Sequence, residues 1–244
     1  MAAGHRLTVA FPSDNAQNLE GEAGGIKYIT FPHASNDYGS ARSKIAKNCL
    51  KEIINNDSFD VIHVWGTEFL HSRLVVEAAT ESGLQDRVAV SVQGIAKECA
   101  LHYYTGVDYQ YIKKQCLVDI IRKKSIYLDM LDMHKRAENE DVVFKKATNI
   151  IGRTDFDRRY TYLLNENVHY YTCNETLREC FYSDDWTFDN CCKNTIFISQ
   201  ATYPLKGLHH VLRAIGIVKK YIPDIKLIIA GGNILEYKGK HPFL

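Results

Sequence analysis

Lys206 and Gly207 are the residues whose types and position point most directly to binding chemistry. They end a segment, residues 201–207, that separates a strand-like run from a run with helical spacing. Backbone N–H groups and the dipole at the start of a helix favour an anion, and the lysine adds a full positive charge. This pattern predicts a phosphate site, and it is also compatible with a solvated turn that enters a helix.

Further candidates follow two predicted strands, at residues 59–64 and 87–92. Ligands of open α/β sheets bind outside the carboxyl ends of the strands, so these side chains are expected to line one cleft. The candidate residues are His63, Trp65, Gly66, Glu68, Gln93 and Gly94. The apolar neighbours of His63 favour a buried core histidine over a ligand, and Glu68 also suits the first turn of a helix capped by Thr67.

Three more candidates stand at the ends of the strands predicted at residues 149–153 and 168–172. Arg153 either holds an anionic group or pairs with Asp157. Thr154 is placed to cap a helix that runs to about Leu164, with Asp157 three positions further on as its capping partner. Asn174 is predicted to cap a short helix that reaches Tyr182.

Other kinds of site lack their usual spacing. A Gly-rich dinucleotide fingerprint and a Walker loop are both absent from the sequence, so dehydrogenase and P-loop functions have no support. The seven cysteines and His169 show no Cys-x-x-Cys or His-x-x-x-His spacing, so we expect no metal and no cofactor. His209 and His210 are adjacent on a predicted helix and should therefore point in different directions.

Composition and charge place the chain among ordinary globular proteins. Hydrophobic residues make up 45% of the 244 residues and charged residues 24%, which excludes collagen-like, low-complexity and disordered classes. Thirty Lys and Arg residues face 29 Asp and Glu residues, so no global field attracts nucleic acid. We expect no nucleic-acid partner. A peripheral membrane contact stays open, and the balanced charge does not favour it.

The location is expected to be cytoplasmic. The apolar runs are shorter than the about 18 residues that a membrane helix needs, and residues 1–6 lack the features of a signal peptide. An odd number of cysteines without a framework spacing is typical of free thiols in a reducing compartment.

Strand-like and helix-like segments alternate along the chain, which predicts an α/β fold with parallel strands joined by helices. Strands are also predicted at residues 7–11 and 26–31, separated by a Gly-rich turn, and at 195–199 and 226–230; helices are predicted at 45–54, 135–146 and 207–221. We expect one domain at residues 1–183, a polar linker at 184–194, and the start of a second, incomplete domain at 195–244.

Five segments, taken in order, resemble the family 4 glycosyltransferases, which use nucleotide sugars. The segments are residues 59–66, 149–157, 174–178, 203–208 and 227–232. The resemblance implies the GT-B architecture, in which two Rossmann-like domains face each other across a cleft. By this resemblance the first domain would be the acceptor side, and 195–244 would be the opening βαβ unit of the donor domain.

The resemblance also implies roles and a reaction. Lys206 matches the lysine that contacts the donor diphosphate, and the reaction would retain the anomeric configuration. Negative charge on the leaving diphosphate can be stabilised by a cation and a helix N-terminus without a metal. The sequence shows no nucleophile, so the catalytic residues are unknown.

The sequence departs from the family in several places. Ser199, Gln200 and Ala201 occupy the stretch where the family commonly has an arginine. Trp65 replaces a second histidine, and Gln93 replaces the histidine of a His-Gly pair. The family's first strand with its Gly-rich loop, and its paired glutamates, fall outside residues 1–244. The chain is therefore expected to be a fragment truncated at both ends and inactive alone.

The expected function is a hexosyltransferase-type glycosyltransferase that moves a sugar from a nucleotide-diphosphate sugar to an unidentified acceptor. The partners implied are that donor and a sugar or glycolipid acceptor, in polysaccharide or glycoconjugate synthesis. Two alternatives stay open. One is a nucleotide-sugar epimerase or hydrolase of the same architecture, because fold alone does not fix the reaction. The other is a non-catalytic binding subunit.

Overall fold

A computed structural model describes residues 4–14, 19–34, 37–113, 121, 125–183 and 185–231. Contacts between residues divide the chain into two compact units. The first comprises Met1–Lys97 and Asp132–Asn174, and the second comprises Glu98–Leu131 and Glu175–Leu244. The predicted domain bounds at residues 183 and 195 stay a prediction.

Strands and helices alternate along the described residues. The strands are β1 Thr8–Ser13, β2 Glu20–Ala23, β3 Ile26–Pro32, β4 Ile62–Trp65, β5 Val88–Ser91, β6 Asn149–Gly152, β7 His169–Thr172, β8 Thr195–Ile198 and β9 Lys226–Ile229. The helices are α1 Ala41–Asn56, α2 Leu70–Glu81, α3 Ala96–Leu101, α4 Tyr109–Lys113, α5 Ile126–Lys146, α6 Asp155–Leu164 and α7 Leu208–Val218. The predicted strands are confirmed to within a few residues, and so is the α/β class.

The centre of the first unit is a four-stranded sheet in the order β4-β5-β6-β7, with every neighbouring pair parallel. Val64, Val90 and Ile150 on three adjacent strands are buried and belong to one hydrophobic core. Helices α1, α2 and α5 contribute Leu50, Leu74 and Phe144 to the same core, which is why their apolar residues recur at helical spacing. The sheet is therefore flanked by helices, as in a Rossmann-like domain.

A separate three-stranded sheet has the order β1-β3-β2. Strands β1 and β3 are parallel, whereas β2 runs antiparallel to β3. The sequence analysis predicted only a turn in the place of β2, because Glu-Gly-Glu-Ala has neither alternating apolar residues nor high strand propensity. The pair Gly24 and Gly25 makes the hairpin turn, and both have positive φ, 58° and 76°. Two-residue hairpin turns of this kind favour glycine.

Two predicted helix caps are wrong. Thr67 does not cap α2, whose N-cap position is occupied by Phe69 without a side-chain hydrogen bond. Asn174 caps no helix: residues 173–178 have no regular structure, and only a short 3₁₀ turn, Glu179–Phe181, follows. By contrast, Thr154 and Asp157 form the complete capping box that their spacing predicts at α6.

In the second unit β8 and β9 pair in parallel, joined by α7. A 3₁₀ turn, Pro204–Lys206, precedes α7, so the helix begins one residue after the predicted start and ends at Val218, before the predicted end at 221. The part of the second predicted domain from residue 232 to 244 lies outside the described residues.

Two observations bear on the predicted location: the lengths of the apolar helices and the state of the cysteines. No helix in the described ranges is long and apolar enough to cross a membrane. The six described cysteines are thiols rather than disulfides, and Cys116 lies outside the described residues.

Candidate functional site

The candidate residues of the first unit lie along one edge of the four-stranded sheet. Trp65 is level with Ser91 on the next strand, Ser91 with Ile151, and Gly152 with Thr172. Because all four strands are parallel, the residues that follow them are at the same edge. The structure thus brings together, at this edge, Trp65, Gly66, Gln93, Gly94, Arg153, Thr154 and Asn174.

His63 is near this edge and is not a core residue. Its Nε2 atom is 2.7 Å from the hydroxyl oxygen of Ser91, and its ring meets that of Trp65 edge-on, with centroids 5.4 Å apart. Partial desolvation against these neighbours lowers the pKa of His63, although the side chain remains exposed. The interpretation that His63 is a buried core histidine is therefore wrong. A neutral imidazole next to the exposed indole of Trp65 is available to a ligand.

Gly66 makes the turn by which the chain leaves β4. Its φ is +90°, a left-handed conformation that favours glycine, and its N–H donates to the Ser91 carbonyl at 3.0 Å. A Cβ atom at this position would lie 2.9 Å from the ring of Phe69 and 3.0 Å from Oε2 of Glu68. A side chain at residue 66 would therefore be strained.

Glu68 follows this turn and is half buried. Its Oε2 atom is buried and has no hydrogen-bond partner among the residues that the structure describes. Since α2 begins only at Leu70, Glu68 precedes the helix and is not the first-turn residue that the sequence suggested. An unpaired carboxylate oxygen is a costly group to bury, so Glu68 stays a candidate for contact with a hydroxyl or a cation.

Glu140, on α5, is a central residue that the sequence analysis missed. Its carboxylate accepts hydrogen bonds from the Thr67 hydroxyl at 2.9 Å, the Ala96 N–H at 3.0 Å and the Lys97 N–H at 3.1 Å. Burial raises the pKa of Glu140 to about 7, the negative charge of Glu68 acts in the same direction, and the three hydrogen bonds oppose it.

The arrangement around Glu140 fixes the two loops that leave β4 and β5. Thr67 belongs to the first loop, and Ala96 and Lys97 begin the helix that follows the second. Glu140 has no exposed surface, so it positions these loops rather than contacting a ligand. The signal in the sequence was a glutamate between Ala137 and Phe144 on the apolar face of a helix.

Arg153 contacts the loop after β5, which holds Gln93 and Gly94. The Arg153 guanidinium donates to the Gln93 carbonyl at 3.4 Å, and the Arg153 N–H donates to Oδ2 of Asp157 at 3.1 Å. Arg153 is exposed, so its guanidinium can also be reached by a ligand. Gly94 has no positive φ, and a Cβ atom there would meet nothing within 4 Å. The backbone therefore does not require glycine at residue 94.

Thr154 and Asn174 contribute less to a binding site. The Thr154 hydroxyl accepts the Asp157 N–H at 3.1 Å, and Asp157 Oδ2 accepts the Thr154 N–H at 3.0 Å. These bonds assign Thr154 to the start of α6. Asn174 is exposed beyond β7, and its carbonyl accepts a weak bond from the Cys173 thiol at 3.7 Å.

In the second unit Lys206 and Gly207 form the turn into α7. Gly207 has a φ of +73° and is the N-cap residue of α7, where no side chain caps the first helical turn. The Lys206 ammonium lies 5.3 Å from the centre of the Tyr203 ring and is exposed. A lysine next to a helix start without a side-chain cap is an arrangement that favours an anion.

The first two turns of α7 also carry His209, His210 and Arg213. Both histidine rings reach the carbonyl of Thr105, at 2.9 Å and 3.1 Å, and the Arg213 guanidinium donates to the Gly106 carbonyl at 2.8 Å. The ring centroids of His209 and His210 are 4.1 Å apart. The prediction that the two histidines point in different directions is therefore wrong.

A metal centre finds no support in the structure. In the ranges that can be inspected, no group of three or more His, Cys, Asp or Glu side chains is arranged to hold a metal ion. The expectation that the chain uses no metal or cofactor stays a prediction.

No protein-family model and no curated protein matches this chain. The structure itself establishes an α/β fold in which helices flank a four-stranded parallel sheet, consistent with a Rossmann-like domain.

Proposed function

We propose that the chain is part of a GT-B glycosyltransferase resembling family 4, which transfers a sugar from a nucleotide-diphosphate sugar to an acceptor. The observation that carries this proposal is the exposed Lys206 at the uncapped start of α7, directly after the parallel strand β8. The match of Lys206 to the family's diphosphate-contacting lysine supports the same role.

The chemistry of this turn suits a leaving diphosphate. Cleavage of the bond between sugar and phosphate leaves negative charge on the diphosphate oxygens. The Lys206 ammonium and the first backbone N–H groups of α7 would stabilise that charge more in the transition state than in the ground state. The absence of an arginine at residues 199–201 leaves Lys206 as the cation that we assign to this role.

The strand ends of the first unit would serve the acceptor. Trp65 is 55% exposed and presents an aromatic face next to the imidazole of His63. Sugar rings combine apolar faces with hydroxyl groups, so an aromatic surface bordered by hydrogen-bonding groups suits them. The exposed Arg153 is placed at the same edge to contact an anionic substituent of the acceptor.

The proposal is tested by mapping where a nucleoside diphosphate binds. Hydrogen–deuterium exchange of the 244-residue chain is measured with and without uridine or guanosine diphosphate. We expect slower exchange in the segment 206–211, where the phosphate oxygens would accept the N–H groups of Leu208 and His209, the first two residues of α7. Protection at the strand ends of the first unit, with none at 206–211, would contradict the assignment of Lys206.

Product analysis tests the reaction class. A radiolabelled nucleotide sugar is incubated with the chain, with and without acceptor oligosaccharides, and the products are separated. We expect no loss of donor without an acceptor and, because the chain alone is expected to be inactive, no more than trace transfer when an acceptor is present. Conversion of the donor when no acceptor is present would instead indicate an epimerase or a hydrolase.

A further inference from the structure

A cavity of about 450 Å³ lies between the two sheets of the first unit. On one side it is lined by β1 and the residue before it, among them Leu7 and Val9, and on the other by β4. Helices α1 and α2 also line it, through residues such as Leu50 and Val75. Since both belong to the core that the two sheets share, the cavity continues this core between β1 and β4.

Each of the two strands has one edge turned to this cavity. In the described part of the chain β1 pairs only with β3, and β4 pairs only with β5. No residue of β5 and only Phe31 of β3 line the cavity, so it adjoins the unpaired sides of β1 and β4. An unpaired strand edge presents a row of N–H and C=O groups that can accept another strand.

The lining is apolar and carries no strong charge. Among the residues that the structure describes, it contains no Lys, Arg, Asp or Glu, and its ionisable residues there are His63 and His71. Several apolar side chains of β1, of β4 and of the residue before β4 are also exposed: Val9 by 42%, Phe11 by 43%, Val61 by 65% and Trp65 by 55%. Parallel sheets are normally covered on both faces, so this amount of exposed apolar surface on the two edge strands is unusual.

We propose that this slot binds an extended, uncharged segment of polypeptide from outside the 244 residues, as a strand between β1 and β4. The added strand would join the two sheets in the order β2-β3-β1-added strand-β4-β5-β6-β7. Only a polypeptide backbone supplies alternating donors and acceptors to two edges at once, at the strand spacing of about 4.8 Å. A small apolar molecule would fill the volume and leave both edges without hydrogen bonds.

The test uses a synthetic peptide as the strand. The probe is an acetylated and amidated seven-residue peptide of alternating valine and threonine, chosen for its strand propensity and lack of charge. Its control carries N-methyl groups on alternate residues, which removes the donors along one edge and keeps the side chains. Backbone hydrogen exchange of the whole chain is followed by mass spectrometry, with each peptide and without.

We expect the probe to slow exchange about tenfold in residues 8–13 and 62–65, and the N-methylated control to leave both segments unchanged. Three outcomes would overturn the proposal. The first is no protection of these segments at millimolar probe. The second is equal protection by both peptides, which indicates a pocket for small apolar molecules. The third is slower exchange of these segments without any peptide, to a degree that increases with the concentration of the chain, which indicates that a second copy of the chain occupies the slot.

A pair of variants ties the effect to the cavity. Val9→Glu places a charge in the lining, whereas Ile45→Glu places one on α1 at an apolar side chain that is 53% exposed and does not line the cavity. Val9→Glu should weaken probe binding at least tenfold, and Ile45→Glu should leave it unchanged. Equal binding by both variants would place the peptide elsewhere. Thermal unfolding of both variants, followed by circular dichroism, ensures that only folded protein is compared.

Discussion

The carboxylate of Glu140 is held by two opposing influences. Its burial favours the neutral acid, while the Thr67 hydroxyl and two backbone N–H groups favour the anion. Burial is the stronger, since the pKa of Glu140 is raised to about 7. Folding therefore favours the protonated form. The contribution of Glu140 to stability is present in full below the ordinary pKa of glutamate and is lost as the pH rises through about 7.

Glu140→Gln should flatten the dependence of stability on pH. A glutamine cannot ionise, and it retains the oxygen that accepts from Thr67 and Ala96. Between pH 4.5 and 8 the wild type should lose about 3 kcal/mol of unfolding free energy relative to the variant, because folding raises the pKa of Glu140 from its ordinary value to about 7. Urea unfolding at both pH values measures this difference. Parallel pH profiles for the two proteins would contradict the raised pKa.

Gly66 and Gly94 lie in the loops that follow β4 and β5 but differ in what the backbone demands. Gly66→Ala forces a side chain into a φ of +90° and against the Phe69 ring, and should cost about 1–3 kcal/mol of unfolding free energy. Gly94→Ala meets open space and should change it by less than about 1 kcal/mol. Chemical denaturation of both variants compares them. Equal losses would show that the β4 turn is not strained against a side chain.

At the scale of elements, Glu77 joins three helices of the first unit. Its side chain is 5% exposed and lies 3.3 Å from the ammonium of Lys47 on α1, 3.1 Å from Nε of Arg73 on α2 and 3.7 Å from the ammonium of Lys146 on α5. The Tyr38 hydroxyl donates to it at 2.6 Å. Burial acts to raise the pKa of Glu77, but the hydrogen bonds from Tyr38, Arg73 and Lys47 outweigh it and lower the pKa.

Glu77→Ala should therefore destabilise the first unit by about 3 kcal/mol, because it leaves partly buried cations without their carboxylate. The matched control is Glu81→Ala. Glu81 also pairs with Lys47 and with Lys51, but its side chain is 46% exposed, so its loss should cost less than about 1 kcal/mol. Thermal unfolding of the two variants gives the comparison. A cost at Glu77 no greater than that at Glu81 would contradict a buried junction.

The elements were predictable where their pattern is local. Strands β4 to β7 are short β-branched or aromatic runs, and the capping box of Thr154 and Asp157 depends on residues three apart. The role of Glu140 was not predictable, because its partner Thr67 is 73 positions away in the chain. Strand β2 was missed because an edge strand needs no apolar alternation. The helix expected after Asn174 does not form, since the residues of this segment are all exposed and bury no apolar face.

For the whole molecule, the sequence predicts the fold class and the edge where the candidate residues meet, but it does not predict the substrates. The α/β class followed from alternating strands and helices, and the structure confirms it. The common edge of Trp65, Gln93 and Arg153 followed from the rule that parallel strands end together. The sugar, the nucleotide base and the acceptor do not follow from fold, because one fold supports many reactions.

The central claim is that Lys206 and the start of α7 hold the diphosphate of a nucleotide sugar. Calorimetric titration of a nucleoside diphosphate into the wild type, Lys206→Ala and Lys219→Ala tests it most directly, since Lys219 is an exposed lysine at the opposite end of the same helix. We predict at least about a tenfold loss of affinity for Lys206→Ala and no change for Lys219→Ala. Equal affinity in all three proteins, or binding of the nucleoside as tight as that of its diphosphate, would contradict the claim.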